Sequence, residues 1–310
     1  MTKIVFAPLQ GYTDATFRNL HEKYFGGVSA YYTPFVRLEK GSNFRKRELR
    51  DIDPLFNKVS HLIPQLLAGT PDELHIITGL LREKGYHEID INMGCPFPLI
   101  ARKGKGAGIL SDPDEVRVLL DAVTQYPDLS FSLKMRLGME CVEEMEALLP
   151  IINQYPLREV TIHARQGKQQ YKGTVDLDGF ARFLSQCKHP VVYNGDVCTL
   201  NDIRSIETRF PKISGIMIGR GLLANPALAL EYAGTLLDQN SKLKKLQLMH
   251  DELLETVCNR LQGDAHILAH MKSWWEYLLP DLEKRIRKHI LKSNKLITYK
   301  DAVREAWDSF

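Results

Sequence analysis

Residues 191–221 read VVYNGDVCTLNDIRSIETRFPKISGIMIGRG. A short apolar run (Val191–Asn194) meets an Asn-Gly-Asp turn, helical spacing follows over Leu200–Glu207, and a second run (Gly215–Ile218) ends in Gly219-Arg220-Gly221. Short β-branched runs bounded by Gly, Asn and Asp predict buried strands, and the longer segment between them predicts a helix. Two strands joined through a helix run in the same direction, so the sheet they enter is parallel.

The same unit recurs outward from this stretch. Strands are expected at Ile4–Ala7, Ala30–Thr33, Ile63–Leu67, Glu88–Asn92, Ser130–Arg136 and Glu159–His163, which with the first two make eight. Helices are expected at Asp14–Tyr24, Pro71–Glu83, Pro113–Val123, Val142–Gln154, Leu177–Gln186 and Pro226–Leu237. Eight β/α units in about 240 residues match a closed (β/α)8 TIM barrel of the α/β class better than an open sheet. The second unit is the irregular one, because Val36–Asn57 is charged and shows no clear helix.

The pattern changes after Leu237. Asp238-Gln239-Asn240-Ser241 reads as a polar linker, and helices are expected at Leu246–Leu261, Ala265–Leu279, Leu282–Leu291 and Tyr299–Trp307. The expected organisation is a barrel domain at 1–238 and a small all-α helical domain at 239–310. A helical domain that small has a marginal core unless it docks on something larger.

Composition sets the outer bounds. With 310 residues, 41 Lys+Arg against 38 Asp+Glu and 44% hydrophobic content, the chain has enough apolar surface to offset the entropy of folding, which excludes a disordered or collagen-like polymer. No stretch approaches the ~18 apolar residues of a membrane span. Met1–Pro8 reads as a buried strand rather than a secretory signal. A cytoplasmic protein with no membrane contact, no obligate protein partner and a monomeric state is expected. Cys95, Cys141, Cys187, Cys198 and Cys258 are an odd set with no CxxC or CxxxH spacing, so each is read as a free thiol rather than a disulfide or metal ligand. Residues 1–238 hold 28 basic and 28 acidic side chains while 239–310 hold 13 and 10, which places the excess positive charge in the C-terminal part. Within it, Lys284–Lys300 carries seven Lys/Arg, His289 and no acid. Such a run either neutralises a row of phosphates or is a solvated helix face.

In a barrel of this kind the site is assembled at the C-terminal strand ends. Those ends carry Pro8 and Leu9, Gln65, Asn92 with Cys95, Lys134 with Arg136, His163 with Arg165, Asn194-Gly195-Asp196 and Gly219-Arg220. Singly, the last two motifs are turn chemistry. After the seventh and eighth strands of a barrel, their backbone N–H groups suit a phosphate, so a phosphate-bearing cofactor is expected. Lys134, between Leu133 and Met135, needs an anionic partner if buried, and a reduced flavin ring supplies one. Arg165 is expected on the substrate side. Cys95, between Gly94 and Pro96 just past the fourth strand, is a candidate nucleophile or acid. The glycines that follow it (Gly104, Gly106, Gly108) suggest a mobile loop over the site. The other four cysteines are read as small buried hydrophobes.

The motifs APLQGYTD, PQLLAG, DINMGCPFP with KGKGAGILSDP, SLKMRLG, HARQGKQQYKG, YNGDV and MIGRGLLANP resemble, in order and over essentially the whole chain, the tRNA-dihydrouridine synthases. The resemblance implies an FMN barrel that uses NADPH to reduce the C5–C6 double bond of a uridine in tRNA. It assigns Pro8, Leu9, Gln65, Lys134, His163, Asn194, Gly195, Asp196, Gly219 and Arg220 to FMN, Asn92 and Arg136 to the uracil edge, and Cys95 to the general acid that protonates C5 opposite the hydride delivered to C6. Phe35-Val36-Arg37, Lys172 and the stretch His270–Leu278 look like the bacterial C-type enzyme, whose target is uridine 16 of the D-loop. In that type Arg37, Lys172, Lys272 and Tyr277 would orient the tRNA, with His270 and His289 standing where Arg is expected. Leu9-Gln10 and Gln166 also depart from the usual pattern. Two alternatives remain open: an FMN barrel reducing a free pyrimidine or enone, and a tRNA-binding protein without activity.

Overall fold

The computed structural model describes residues 1–39 and 43–310. Among the described residues nine strands form one parallel sheet: β1 (Lys3–Phe6), β2 (Ala30–Tyr32), β3 (Leu62–Ile63), β4 (Gln65–Leu66), β5 (Glu88–Met93), β6 (Ser130–Arg136), β7 (Leu157–His163), β8 (Val191–Asn194) and β9 (Gly215–Ile218). Their spatial order is β3-β2-β1-β9-β8-β7-β6-β5-β4. The two end strands flank a single residue, Pro64, so the sheet returns on itself as a barrel. Proline has no N–H to give to a ladder. The expected strand Ile63–Leu67 is accordingly split, its first half pairing with β2 and its second with β5.

The strands alternate with α1 (Ala15–Tyr24), α2 (Lys46–Asp51), α3 (Pro71–Glu83), α4 (Pro98–Ala101), α5 (Pro113–Val123), α6 (Glu143–Ile152), α7 (Leu177–Gln186), α8 (Leu200–Arg209), α9 (Arg220–Ala224) and α10 (Leu228–Tyr232). The side chains of Asp14, Thr70, Asp112, Asp176 and Thr199 each accept from the N–H three residues on, which fixes the starts of five of these helices. The irregular second unit holds α2 and a 3-10 turn at Pro54–Phe56, and its residues 40–42 lie outside the described residues. Pro226–Leu237 is not one helix. It keeps α10 alone, and the chain turns away at Gly234, whose φ is +98°.

Period-two alternation sorts the strand residues. Val5, Ala7, Ala30, Tyr32, Ile63, Val192 and Met217 form a cluster of their own inside the barrel. Their neighbours, Ile4 and Phe6 among them, join the larger cluster between strands and helices.

Four helices complete the chain: α11 (Gln239–Arg260), α12 (Asp264–Trp275), α13 (Lys284–Lys292) and α14 (Leu296–Asp308). The expected linker is instead the first turn of α11, because the Asp238 side chain accepts from the Ser241 N–H at 2.9 Å and caps it. The last helix begins three residues earlier than its apolar pattern indicates. These helices dock on the first β/α unit. Phe17 meets Trp274 edge to face at 5.7 Å, Tyr24 donates to Glu252 at 2.6 Å, and Tyr12 donates to Glu276 at 2.7 Å. Leu246, Met249, Trp274 and Tyr299 belong to the same apolar cluster as the barrel's outer face, so one continuous core supports both parts. Among the described residues no helix is long and apolar enough to cross a membrane.

Candidate active site

Strand register brings a chain of buried polar side chains to the end of β5. Asp90 stands opposite Gln65 on β4 and Ser132 on β6. Ser132 Oγ donates to Asp90 Oδ1 at 2.6 Å and Gln65 Nε2 donates to Oδ2 at 2.7 Å. Asn92 Nδ2 donates to Gln65 Oε1 at 2.8 Å, and Asn92 Oδ1 accepts from the N–H groups of Gly94 and Cys95 at 3.0 and 2.9 Å. The turn bearing Cys95 thus hangs from a side chain of its own strand.

Cys95 borders the cleft and packs on Phe35, Leu67 and Ile100. Burial pushes its thiol up from an ordinary value near 9, while a backbone N–H at Phe97 and the charges of Arg136, Lys134 and Arg37 pull the other way without prevailing. The sulfur is therefore protonated at neutral pH, the state of an acid rather than a nucleophile. The glycines beyond it differ in their surroundings: Gly104 stands in open space, and Gly106 is packed. Gly106 and Ala107 are buried, and a Cβ at Gly106 would lie 2.7 Å from the Cys95 carbonyl oxygen. Close approach and a φ of +59° both require glycine there.

Facing Cys95 is a cluster of cations. Lys134 forms no side-chain hydrogen bond or ion pair among the described residues, and burial, aided by Arg136, lowers it to about 8. Arg136 donates to the carbonyls of Gly94, Gln166 and Gln170 at 2.9, 3.0 and 2.7 Å, which ties the Cys95 turn to the loop after β7. Burial and the surrounding cations, Arg136 first, hold His163 well below its ordinary value, so its ring is neutral. Asp196 offsets part of this charge, with Arg165 bound across both carboxylate oxygens and Arg220 on Oδ1 at 2.7 Å. The site keeps a positive excess.

All ten residues expected around a cofactor border one cleft. Pro8, Leu9, Lys134, His163, Asn194, Gly195, Asp196, Gly219 and Arg220 line one end, and Gln65 joins Pro8, Leu9, Lys134 and His163 in the middle, beside Asn92, Cys95 and Arg136. Asn194 donates to the Met217 carbonyl at 2.7 Å and holds the two turns together. Gly195 lines the same end of the cleft, and with φ at +143° and a Cβ that would come 2.8 Å from Val175 Cγ1, backbone conformation and close approach both require glycine there. The N–H groups of Gly219, Arg220 and Gly221 precede the first intrahelical bond of α9 and are open to an acceptor. Bare N–H turns at one end and an unpaired ammonium in the middle are the donors that a phosphate ester on a polar ring requires.

The outer part of the cleft is a cavity of about 530 Å³ bordered by Arg37, Arg45, Arg47 and Arg220 together with Tyr12, Tyr171 and Tyr277. Tyr171 borders all three parts of the cleft. The guanidinium groups of Arg136 and Arg220 lie 5.6 and 5.0 Å from its ring centroid. Sequence reasoning missed Tyr171, Arg45 and Arg47. The signal for Tyr171 was its place in HARQGKQQYKG, whereas the arginines fell in a stretch with no pattern.

The other expected substrate residues are placed less uniformly. Tyr277 reaches the cleft and meets Tyr12 edge to face at 5.3 Å. Arg165 lies buried beneath the cleft on Asp196 and the Gly173 carbonyl. Lys172 is exposed on the same loop, its carbonyl accepting from Arg165 at 3.4 Å. Lys272 donates to the Ser293 carbonyl and links α12 to the end of α13. His270 faces Asp14 at 3.7 Å, and His289 lies 3.2 Å from Glu305. In the basic run, Arg287 turns inward to the carbonyls of Trp275, Leu278 and Leu279, and Arg285 pairs with Glu305 at 2.7 Å. Lys284, Lys288, Lys292 and Lys295 are exposed. Cys141 and Cys198 are exposed rather than buried, and Cys187 and Cys258 are half-buried. The buried-hydrophobe reading fails for Cys141 and Cys198, which sit in loops, and holds in part for Cys187 and Cys258, which pack against the core from its edge.

The family model described as dihydrouridine synthase matches residues 5–308. The tRNA-dihydrouridine synthase B of Pasteurella multocida is 27% identical over 298 residues, spanning 93% of this chain and 82% of that protein. The tRNA-dihydrouridine(16) synthase of Ralstonia nicotianae is 28% identical over 252 residues, spanning 78% and 76%. Among solved structures, the old yellow enzyme from Trypanosoma cruzi superposes with a TM-score of 0.52 at 10% identity, over 76% of this chain and 89% of that one, a likeness of fold.

Proposed function

The chain belongs to the dihydrouridine synthase family, and on that premise we propose that it reduces the C5–C6 double bond of a uridine in tRNA, using bound FMN and NADPH as reductant. The observation that carries this reading is the pairing, across one cleft, of a protonated thiol at Cys95 with the unpaired, partly desolvated Lys134.

FMN suits the donors present. Gly195, Asp196, Gly219 and Arg220 would hold its phosphate, and Gln65, Lys134 and His163 its ring, with Pro8, Leu9 and Asn194 along the walls. When bound, the flavin supplies hydride to C6. The protein supplies the rest. Lys134 compensates negative charge with an ammonium that stays protonated at neutral pH. Neutral His163 donates or accepts a hydrogen bond without adding charge. Cys95 holds the proton destined for C5, and its raised value keeps that proton in place until a base lies against it. Asn92 and Arg136 keep the Cys95 turn in position and border the space the uracil would enter. A uridine reaches a cleft this deep only when extruded from its stack.

Recognition of tRNA is assigned to the arginines of the outer cleft, to Tyr277, and to the lysines of 284–295. The helices from 239 onward serve as the RNA-binding unit. Uridine 16 is proposed as the target on the likeness of Phe35-Val36-Arg37, Lys172 and His270–Leu278 to the C-type enzymes. The test uses purified protein, which is expected to be yellow or to take up FMN, to bleach with NADPH, and to be reoxidised by unmodified tRNA far faster than by free uridine. Equal rates with both would refute the tRNA assignment, and dihydrouridine mapped at another position would refute uridine 16.

A further inference from the structure

A carboxylate buried beneath the cleft has no assigned role. Asp90 lies fully inside the barrel, and its two oxygens accept from Ser132 and Gln65 at 2.6 and 2.7 Å. An ionised carboxylate can only accept hydrogen bonds. Gln65 must therefore turn its NH2 toward Asp90 and its oxygen toward Asn92. Asn92 must in turn give its NH2 to Gln65, which leaves Oδ1 as the acceptor for the N–H groups of Gly94 and Cys95. Each amide orientation follows from the one before it, and the series begins at the charge on Asp90.

We propose that Asp90 is a positioning residue for the proposed reaction: through the orientations of Gln65 and Asn92, its negative charge holds the Cys95 turn where the thiol can reach the substrate. The inference rests on the reading of Cys95 as proton donor. Without the charge, Gln65 is no longer fixed from the Asp90 side, and Asn92 is held only by the two backbone N–H groups, so its flipped state becomes accessible. A flipped Asn92 points NH2 at the two N–H groups, donor against donor, and the turn loses its anchor. The charged and titratable groups acting on Asp90 are Lys134 from β6, Arg158 from β7 and Tyr32 from β2. Burial raises the Asp90 carboxyl to about 6 against the pull of Gln65 and Ser132, so the anchor is intact at neutral pH and lost as the pH falls below that value. His163 titrates well below its ordinary value and does not account for a limb near pH 6.

The experiment compares the wild type with Asp90→Asn, an isosteric change that removes the charge and turns one of the two acceptor oxygens into an NH2 donor. Two quantities are read at saturating tRNA: single-turnover reoxidation of the reduced flavin across pH 5–8, and amide hydrogen exchange of the peptide spanning residues 92–97, which needs no turnover. In the wild type, reoxidation should fall below about pH 6. In the variant it should be roughly tenfold or more slower at pH 7.5, a general acid out of place, with no acid limb, and exchange in 92–97 should rise severalfold. Wild-type reoxidation and exchange in the variant would overturn the inference while leaving the proposed activity standing. Absence of tRNA-dependent reoxidation in the wild type would instead strike the activity. Should Asp90→Asn fail to fold, Ser132→Ala removes one donor to the carboxylate and should move the acid limb to higher pH, and an unmoved limb overturns the inference.

Discussion

Replacing Lys134 by Met should stabilise the protein free of flavin while weakening its hold on FMN. Lys134 lies buried beside Arg136 with no side-chain hydrogen bond or ion pair among the described residues, and burial, aided by Arg136 and opposed by Asp90, brings its value from 10.5 to about 8. At about 1.4 kcal/mol for each tenfold change in proton affinity, a fall of this size corresponds to about 3 kcal/mol of cost. Water reaching the partly accessible side chain reduces this to about 2 kcal/mol. Between pH 8 and 10.5 the unfolded chain keeps a proton that the native state has released, so this part of the stability rises with pH across that window. Methionine matches the length of the side chain without its charge. Urea unfolding of flavin-free protein at pH 7 should therefore find the variant more stable by about 2 kcal/mol, and the gap should narrow at pH 9.5. Titration with FMN should show the reverse, because losing a hydrogen bond to a charged group weakens binding by about 1.5–3 kcal/mol, roughly ten- to a hundredfold. A flavin-free variant no more stable than wild type at pH 7, or one with unchanged FMN affinity, would refute the argument that Lys134 is an unpaired cation held for a ligand.

Cys95→Ala should leave reduction of the flavin by NADPH unchanged and slow dihydrouridine formation by roughly 100-fold or more, the loss expected for a general acid, as read by product analysis after a single turnover. Asp196→Asn keeps a residue that tolerates the φ of +45° there and removes the charge together with one of the two oxygens that accept from Arg165. Although burial pulls upward, Arg165 and Arg220 hold the Asp196 carboxyl below its ordinary value, so its stabilisation is present at neutral pH and lost on acidification. Denaturant titration should show the variant about 1–2 kcal/mol less stable at pH 7, discounted for its partial exposure, with the difference narrowing below pH 4. Gly106→Ala places a methyl 2.7 Å from the Cys95 carbonyl and should lower the melting temperature and the rate of product formation together, whereas Gly104→Ala, in open space, should disturb the Cys95 turn far less.

The repeating β/α unit was legible because its signals are local: Asp14, Thr70, Asp112, Asp176 and Thr199 mark helix starts, and the apolar runs between turns mark strands. Pro64 was also visible, but its consequence, one strand serving two neighbours, depends on pairing that no local signal encodes. The residues bordering the inner cleft were legible for a topological reason, since a barrel brings all its strand ends to one face. What those residues do with their hydrogen bonds was not. Arg287 stands in a cationic run and Lys272 in a stretch read as facing tRNA, yet both are committed to backbone carbonyls. Arg45 and Arg47 carry no periodicity and are brought to the cleft by a loop. Charge is read from sequence as composition, while its availability to a ligand is decided by packing.

That distinction bears on the choice between tRNA and a free small substrate. Four arginines border the outer cleft: Glu39 serves both Arg37 and Arg45, Arg220 is paired with Asp196, and Arg47 has no ion pair among the described residues. Tyr277, contributed by the C-terminal helices, closes the same space, so the residues beyond 238 help to build the entrance. A free uridine brings no phosphate to neutralise these cations, whereas the strand on either side of an extruded nucleotide brings several. Each phosphate contact with a single strand contributes about −0.7 to the slope of log K against log salt. Replacing Arg45 and Arg47 together by Ala should flatten the slope for tRNA by about 1.4, and replacing Lys284, Lys288, Lys292 and Lys295 should flatten it further if the helix lies along the same RNA. Reduction of the flavin by NADPH should be the same in both variants at saturating reductant. Binding whose salt dependence is unaltered in the arginine variant would mean that the strand enters by another route, and the entrance bordered by Tyr12, Tyr171 and Tyr277 would have to be reassigned to a smaller substrate.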